Sequence, residues 1–372
     1  MKILVTGAKG FIGKNLVVTL NEISKENNKY EVIEIDINNS KEEFKNGILN
    51  ADFIVHLAGI NRPKDESEFE KGNKNLTEEM ISILEENNKK TPILITSSIQ
   101  ADLDNPYGKS KKGAEEALLK YSAKNNSKVF IYRLPNVFGK WCRPNYNSAI
   151  ATFCNNIARN EEVWISDPSK EMTLVYIDDV VRNIIKTINS ENEVSGYLNV
   201  DIEHKATLGE IVSLIKSFKE SRKNLMVPNM KDELSKKLYS TYLSYIPEDE
   251  FSYPLKMNID NRGSFTEFLK SDDRGQVSIN ISKPGITKGN HWHHTKNEKF
   301  LVVSGEGVIR FRKLDSEEII EYIVSGEKLE VIDIPVGYTH NIINTGAKDM
   351  VTIMWANESF NPEEPDTYYL EV

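Results

Sequence analysis

The sequence has few cysteines and no long apolar run. Its 372 residues include only Cys142 and Cys154, which are too few for a disulfide framework and favour a reducing compartment. No stretch of about 18 apolar residues occurs, so we expect no membrane-spanning helix. The first residues, MKILVTGAKG, have the pattern of a strand and a glycine turn rather than of a signal peptide. Together these features predict a cytoplasmic protein.

An excess of positive charge is also absent. The net charge of −9 argues against a nucleic-acid partner, although a local site can still bind an anionic small molecule. The length predicts two domains. Polar, charged residues at 223–237 are followed, beyond Pro254, by short alternating strands with glycine turns. We therefore predict a first domain at residues 1–245 and a second at 246–372.

The first domain alternates predicted strands with predicted helices, which is the pattern of a doubly wound parallel α/β sheet. A strand at residues 2–5 runs into a loop with Gly7, Gly10 and Gly13, and an amphipathic helix follows. Such glycines let a pyrophosphate approach the helix N-terminus. Asp36 ends the next strand, about where a carboxylate that binds ribose is expected.

Tyr107 and Lys111 provide the chemistry of this domain. They are four residues apart and share one helix face. The nearby ammonium is expected to lower the tyrosine pKa from about 10 towards neutrality. Such a tyrosine can protonate a carbonyl oxygen while hydride reaches the carbon. Ser98 ends the preceding strand and is predicted to hold the same oxygen.

The second domain contains a predicted metal site. His291 and His293 alternate on one strand and point to one face, Glu298 follows after a turn, and His340 comes far downstream. Three imidazoles and a carboxylate suit zinc or another divalent metal. His294 breaks the alternation and is expected to face away. The short strands beyond Pro254 predict an all-β barrel or double-sheet jelly roll.

Three sets of motifs carry family resemblances. TGAKGFIG, VHLAG, TSS, the Tyr107/Lys111 pair and RLPNVFG resemble the extended short-chain dehydrogenase/reductases that act on nucleotide sugars. The spacing from Gly285 to Gly305, and again from Pro335 to Asn344, resembles the two cupin motifs, except that Leu329 replaces the leading glycine of the second. With NPYGKSK, FGKWCRPNYNS and DNRGSFTEF, nearly the full length resembles the bifunctional CapF-type enzymes of bacterial capsule biosynthesis.

These resemblances imply specific roles. The cupin would epimerise C3 of a UDP-2-acetamido-2,6-dideoxy-4-ketohexose, and the first domain would reduce the C4 ketone with NADPH, towards UDP-N-acetyl-L-fucosamine. Ser98, Tyr107 and Lys111 would be catalytic, and Ser98 and Asn136 would contact the sugar nucleotide. The family is expected to form homodimers. The implied cofactor-binding residues are Gly7, Lys9, Gly10, Phe11, Ile12, Gly13, Asp36, Leu57, Ala58, Gly59, Asn73, Tyr107 and Lys111.

Several alternatives remain open from the residues. Asp36 by itself favours NADH, because its carboxylate repels a 2′-phosphate, whereas the resemblance implies NADPH; Lys9 and Lys41 are candidates for compensating charge. The metal is either a Lewis acid or purely structural. The residue that moves the C3 proton is not identified by spacing, although His294, Lys299 and Tyr338 lie near the motifs. A redox-neutral epimerase or dehydratase with a structural cupin, and a non-catalytic cofactor sensor or scaffold, are the competing functions.

Overall fold

The structure, a computed structural model, describes residues 1–190 and 194–372. These residues form two compact units: one contains 1–216 with 231–247, and the other contains 217–230 with 248–372. The division of the chain into domains 1–245 and 246–372 stays a prediction. None of the described helices is long and apolar enough to cross a bilayer.

The first unit contains nine strands among its described residues. They are β1 (Lys2–Thr6), β2 (Glu31–Ile35), β3 (Phe53–His56), β4 (Ile93–Ser98), β5 (Val129–Leu134), β6 (Asn136–Phe138), β7 (Glu171–Tyr176), β8 (Gly196–Leu198) and β9 (His204–Thr207). Six of them form a wholly parallel sheet in the order β2-β1-β3-β4-β5-β8. The other three, β6, β7 and β9, form a separate mixed sheet.

Helices follow most of these strands. They are α1 (Phe11–Asn27), α2 (Lys41–Asn50), α3 (Ser67–Phe69), α4 (Leu76–Glu86), α5 (Pro106–Asn125), α6 (Ala149–Ala158), α7 (Ile177–Asn189), α8 (Leu208–Asn224) and α9 (Glu233–Leu243). Ile3 and Val5 of β1 pack with apolar residues of α1 and α7, whereas Leu4 packs with those of α2, α4 and α5. Because successive side chains of a strand point to opposite faces, both faces of the sheet are covered by helices. The predicted doubly wound α/β fold is confirmed.

The strand order reverses beside β1, since β2 lies on one side of it and β3 on the other. Ligands of open α/β sheets bind beyond the carboxyl ends of the strands at such a switch point. The segments that leave β1, β3 and β4 at this edge are residues 7–13, 57–59 and 99–105. The fold therefore brings the glycine loop, the VHLAG segment and Ser98 to one edge.

The second unit is all β apart from its leading segment and one short 3₁₀ turn. Its strands are β10 (Met257–Asp260), β11 (Gly263–Ser271), β12 (Gly275–Ser282), β13 (Thr287–Trp292), β14 (Glu298–Ser304), β15 (Glu306–Lys313), β16 (Ile319–Ser325), β17 (Val331–Ile334), β18 (Tyr338–Asn344), β19 (Met350–Ala356) and β20 (Tyr368–Tyr369). They form two antiparallel sheets, β10-β11-β12-β19-β14-β17 and β16-β15-β18-β13-β20. The core between them includes Phe300, Ile309, Phe311 and Ile342. The predicted all-β second domain is confirmed.

Candidate active site and metal site

The glycine loop has little space for side chains. Gly7 has φ +68°, and a Cβ there would lie 2.8 Å from the Ala58 nitrogen; a Cβ on Gly13 would lie 2.1 Å from the Gly7 oxygen. Gly10 is the N-cap residue of the 17-residue helix α1 and has no side chain. The first N–H groups of the helix therefore receive no hydrogen bond from a capping side chain. Together with the helix dipole, these groups suit an anion such as a pyrophosphate.

Asp36 follows β2 and contacts the glycine loop. Its Oδ2 accepts a hydrogen bond from the Lys9 nitrogen at 2.8 Å, and its Oδ1 accepts one from the Ile37 nitrogen at 2.8 Å. Each carboxylate oxygen can accept a further bond. Asp36 therefore fixes the loop and still offers acceptors at the position where a ribose is expected.

Asn73 is buried behind the VHLAG segment. Its side-chain oxygen accepts from the Ile60 nitrogen at 2.9 Å, and its amide nitrogen donates to Ser110 Oγ at 2.9 Å. It lies in a π-helical turn, Glu70–Asn75, a feature often found at functional sites. A Cβ on Gly59 would be 2.7 Å from Asn73 Oδ1 and 3.5 Å from Lys111 Nζ. In this structure Asn73 therefore joins the segment after β3 to helix α5, and its predicted contact with the cofactor stays a prediction.

Ser98, Tyr107 and Lys111 lie together, as predicted. Ser98 ends β4, and its side chain is close enough to the Tyr107 phenol to influence the pKa of that phenol. Asn105 caps α5 by accepting from the Gly108 nitrogen at 2.8 Å, which places Tyr107 in the first turn. Lys111 is one turn further on, and its Nζ donates to the Thr96 carbonyl at 2.9 Å.

The predicted fall in the Tyr107 pKa is wrong in this structure. Burial raises the pKa of Tyr107, and the neighbouring Ser98 side chain offsets only part of that rise. The ring packs 5.6 Å from that of Phe69, while the Lys111 ammonium is directed at Thr96. Burial lowers the pKa of Lys111 to about 8, and the Glu115 carboxylate opposes that fall. The phenol is therefore protonated near pH 7, the form that a proton donor requires.

Asn136 is exposed on β6, just past the end of β5. Its amide nitrogen donates to the carbonyl of Thr173 on the neighbouring strand β7 at 3.2 Å. Its predicted contact with the sugar nucleotide stays a prediction.

The four predicted metal ligands converge in the second unit. The candidate donor atoms of His291, His293, Glu298 and His340 all lie within 4.8 Å of one another. His291 and His340 are register partners on β13 and β18, and Glu298 comes from β14 in the other sheet. Glu298 Oε2 lies 3.3 Å from the Nε2 atoms of both His293 and His340.

The donor set fits a divalent cation. His340 is buried, and neither of its ring nitrogens makes a hydrogen bond within the described part of the chain. Buried polar atoms without partners are rare and call for an explanation, such as an ion. Burial and the neighbouring His340 lower the pKa of His291 to about 4, so its imidazole is neutral, as a ligand must be. Burial raises the pKa of Glu298, but His293 and His340 outweigh burial and keep it below its usual value.

A cavity of about 710 Å³ adjoins this cluster. His291, Glu298 and His340 line it together with Lys288 and Lys296. Lys288 Nζ is tied to Asn280 Oδ1 at 2.7 Å and to the Ile281 carbonyl at 2.8 Å, whereas Lys296 Nζ lies 3.9 Å from Glu298 Oε1. Two lysine side chains therefore line the cavity.

The residues considered near the motifs lie elsewhere. Lys299 is half exposed and paired with Asp333, His294 is exposed as expected, and the Tyr338 ring packs against Phe311. Among the residues described around the cavity, none of His294, Lys299 and Tyr338 appears. A β-bulge between Gly289 and His291 turns Lys288 to the same side as His291, which simple alternation does not predict.

Comparison with known proteins gives matches in both units. Residues 3–200 match the NAD dependent epimerase/dehydratase family, and residues 258–368 match the polysaccharide biosynthesis C-terminal domain. The chain is 45% identical to a UDP-2-acetamido-2,6-beta-L-arabino-hexul-4-ose reductase of Pseudomonas aeruginosa, over 100% of this chain and 99% of the other.

Two solved structures show how far the likeness extends. The capsular polysaccharide assembling protein CapF of Staphylococcus aureus is 57% identical, with 100% of both chains covered and a TM-score of 0.93. A UDP-glucuronic acid 4-epimerase of Bacillus cereus, in complex with NAD, is 20% identical over 66% of this chain and 98% of its own, with a TM-score of 0.56. The second likeness concerns the fold alone.

Proposed function

The chain belongs to the NAD dependent epimerase/dehydratase family, and from this we propose that it is a bifunctional UDP-sugar enzyme. The second unit epimerises C3 of a UDP-2-acetamido-2,6-dideoxy-4-ketohexose. The first unit then reduces the C4 ketone, towards UDP-N-acetyl-L-fucosamine for capsular polysaccharide. The observation that carries this proposal is the presence, in one chain, of a protonated Tyr107 beside Ser98 and of a four-donor cluster next to a cavity lined by two lysines.

For the reduction, bound NADPH supplies the hydride that reaches C4. Ser98 holds the ketone oxygen, and Tyr107 gives its phenolic proton to that oxygen as the new C–H bond forms. Solvent then returns a proton to the phenolate left on Tyr107, while Lys111, one helical turn away, stays held by the Thr96 carbonyl. The product alcohol therefore gains one hydride and one proton.

For the epimerisation, a divalent cation such as zinc, when bound, supplies a Lewis acid for the charge that develops beside the C4 ketone. His291, His293, Glu298 and His340 would hold it. The carbonyl makes the C3 hydrogen acidic, and a cavity group removes that proton from one face while a proton returns to the other. Lys296 is the amine that we propose for one of these transfers, because the three N–H groups of Lys288 already have acceptors in the Ser264 carbonyl, Asn280 Oδ1 and the Ile281 carbonyl.

Mass spectrometry of the UDP-sugars tests the two activities separately. With substrate in deuterated water and no NADPH, we expect deuterium to be incorporated at C3 without reduction. With NADPH, we expect the reduced sugar to carry that deuterium. The amount of NADPH oxidised, measured by absorbance, should equal the amount of reduced sugar formed. A redox-neutral enzyme would leave cofactor absorbance unchanged, and a sensor or scaffold would leave the sugar unchanged. A protonated Tyr107 next to Ser98 favours an enzyme over a sensor, because a sensor needs no proton donor.

NADPH is the proposed cofactor, although Asp36 opposes it. The Asp36 oxygens each accept a backbone N–H, which reduces their repulsion of a 2′-phosphate. Lys41, exposed at the start of α2, can supply positive charge. We expect a higher kcat/KM for NADPH than for NADH, and a roughly two- to five-fold loss of that preference in Lys41→Ala. Lys45→Ala, on the same helix, is the control. A preference for NADH in the parent enzyme would refute the proposal.

We also propose a cytoplasmic homodimer. Cys142 and Cys154 are buried free thiols, which suits a reducing compartment. Strand β16 lies at a sheet edge and exposes apolar side chains, with Ile323 83% exposed. Exposed apolar sheet edges are typical of surfaces that bind another chain, so we propose β16 as part of the dimer interface. The sedimentation mass of the protein in solution tests the dimer.

A further inference from the structure

The last residues of the chain attach to the strand that carries His291. In β20, Tyr369 pairs with His291 and Tyr368 pairs with Trp292, whose ring stacks on that of Tyr368 at 4.8 Å. The Leu370 nitrogen donates to the Asn290 carbonyl at 3.0 Å. The C-terminal segment thus covers the edge of the sheet that holds the histidines.

Asp366, just before β20, binds the loop between His293 and Glu298. Its Oδ1 accepts from the His294 nitrogen at 2.9 Å. Its Oδ2 accepts from the Thr295 nitrogen at 2.7 Å, the Thr295 hydroxyl at 3.1 Å and the Lys296 nitrogen at 2.9 Å. One carboxylate therefore holds three consecutive backbone N–H groups and determines the path of the loop.

The backbone of Asp366 acts on a ligand directly. Its carbonyl oxygen is hydrogen-bonded to His293 Nδ1. Because a carbonyl only accepts, Nδ1 must carry the proton, and the lone pair is left on Nε2, the atom 3.3 Å from Glu298 Oε2. A second hydrogen bond of this kind fixes the tautomer and orientation of a metal-bound histidine.

We propose that Asp366 is a positioning residue of the metal site, which orients His293 through its carbonyl and places Glu298 and Lys296 through its carboxylate. The inference rests on the proposed metal cluster but not on either sugar reaction. It makes the C-terminal segment part of the site.

Zinc binding to the full-length protein tests the proposal. In Asp366→Ala we expect zinc affinity, measured by competition with a chromogenic chelator, to fall roughly 10- to 100-fold. Asp366→Asn keeps one acceptor oxygen and should show a smaller loss. Glu364→Gln changes an exposed carboxylate in the same segment and should bind zinc like the parent. NADPH binding reports that the first unit is intact in each variant.

Two readouts separate positioning from mere stabilisation. The rise in Tm on adding zinc should shrink in both Asp366 variants, and the visible spectrum of the cobalt(II) form should change. Variants with a lower Tm without metal but the parent's zinc affinity and cobalt spectrum would overturn the inference. If Asp366→Ala does not fold, Asp366→Asn decides by the same measurements. Failure of the parent itself to bind zinc would instead refute the proposed metal site, and the inference with it.

Discussion

Replacing Tyr107 with phenylalanine should abolish NADPH oxidation while deuterium exchange at C3 of the sugar continues. The change removes only the phenolic hydroxyl beside Ser98, so the ketone oxygen loses its proton donor. A positioned acid of this kind contributes about 100- to 10,000-fold to the rate. The rate of NADPH oxidation and mass spectra of the UDP-sugar in deuterated water give the two readouts.

Tyr121→Phe is the matched control for this experiment. Tyr121 lies on the same helix, is buried, and donates its hydroxyl to the Lys89 carbonyl. It is therefore far along the helix from the carboxyl ends of the strands, where Ser98 lies. It should keep the parent rate. Unimpaired reduction by Tyr107→Phe would refute the assignment of the proton donor, and loss of exchange in that variant would show that the two units do not act separately.

Replacing His291 with alanine should release the metal and stop C3 exchange. The variant removes one of four donors and leaves His340, already without hydrogen-bond partners, beside an enlarged cavity. With free metal at roughly 100 times the Kd of the parent, metal binding raises the parent's free energy of unfolding by about 2.7 kcal/mol. The variant should lack that contribution. Metal content by elemental analysis, Tm and deuterium exchange are the measurements.

The neighbouring His294 provides the control. It is exposed, its ring packs against that of Trp292 at 4.6 Å, and His294→Ala should keep metal and exchange. Full metal content in His291→Ala would contradict the ligand set. Exchange that persists in folded, metal-free protein would assign the metal a structural role and leave the proton transfer to the cavity amines alone.

The features that sequence predicted best are set by local spacing. Gly13 must approach the Gly7 oxygen whatever lies around them, and Tyr107 and Lys111 share a helix face by periodicity alone. His291 and His293 point to one side because a strand alternates. Each of these relations holds within a few residues, so the chain itself specifies it.

The features that sequence missed depend on distant parts of the chain. Asp366 reaches a loop 72 residues away, and nothing in its neighbourhood, which also contains the acidic Glu363 and Glu364, distinguishes it. The direction of the Tyr107 pKa depends on burial, to which Phe69 from another helix contributes. Lys288 reaches the cavity only because a bulge breaks the alternation of β13. Such effects appear once tertiary packing is known.

The division of the donor cluster between two sheets has a kinetic consequence. His291 and His340 belong to one sheet and Glu298 to the other, so a cation bound by all of them cross-links the two layers. Its release into the adjoining cavity then requires ligands from both layers to detach, so we expect slower metal exchange than from a site built on one sheet. We expect hydrogen–deuterium exchange at the backbone amides of β14 and β18 to be slower in the metal-bound protein than in the metal-free protein.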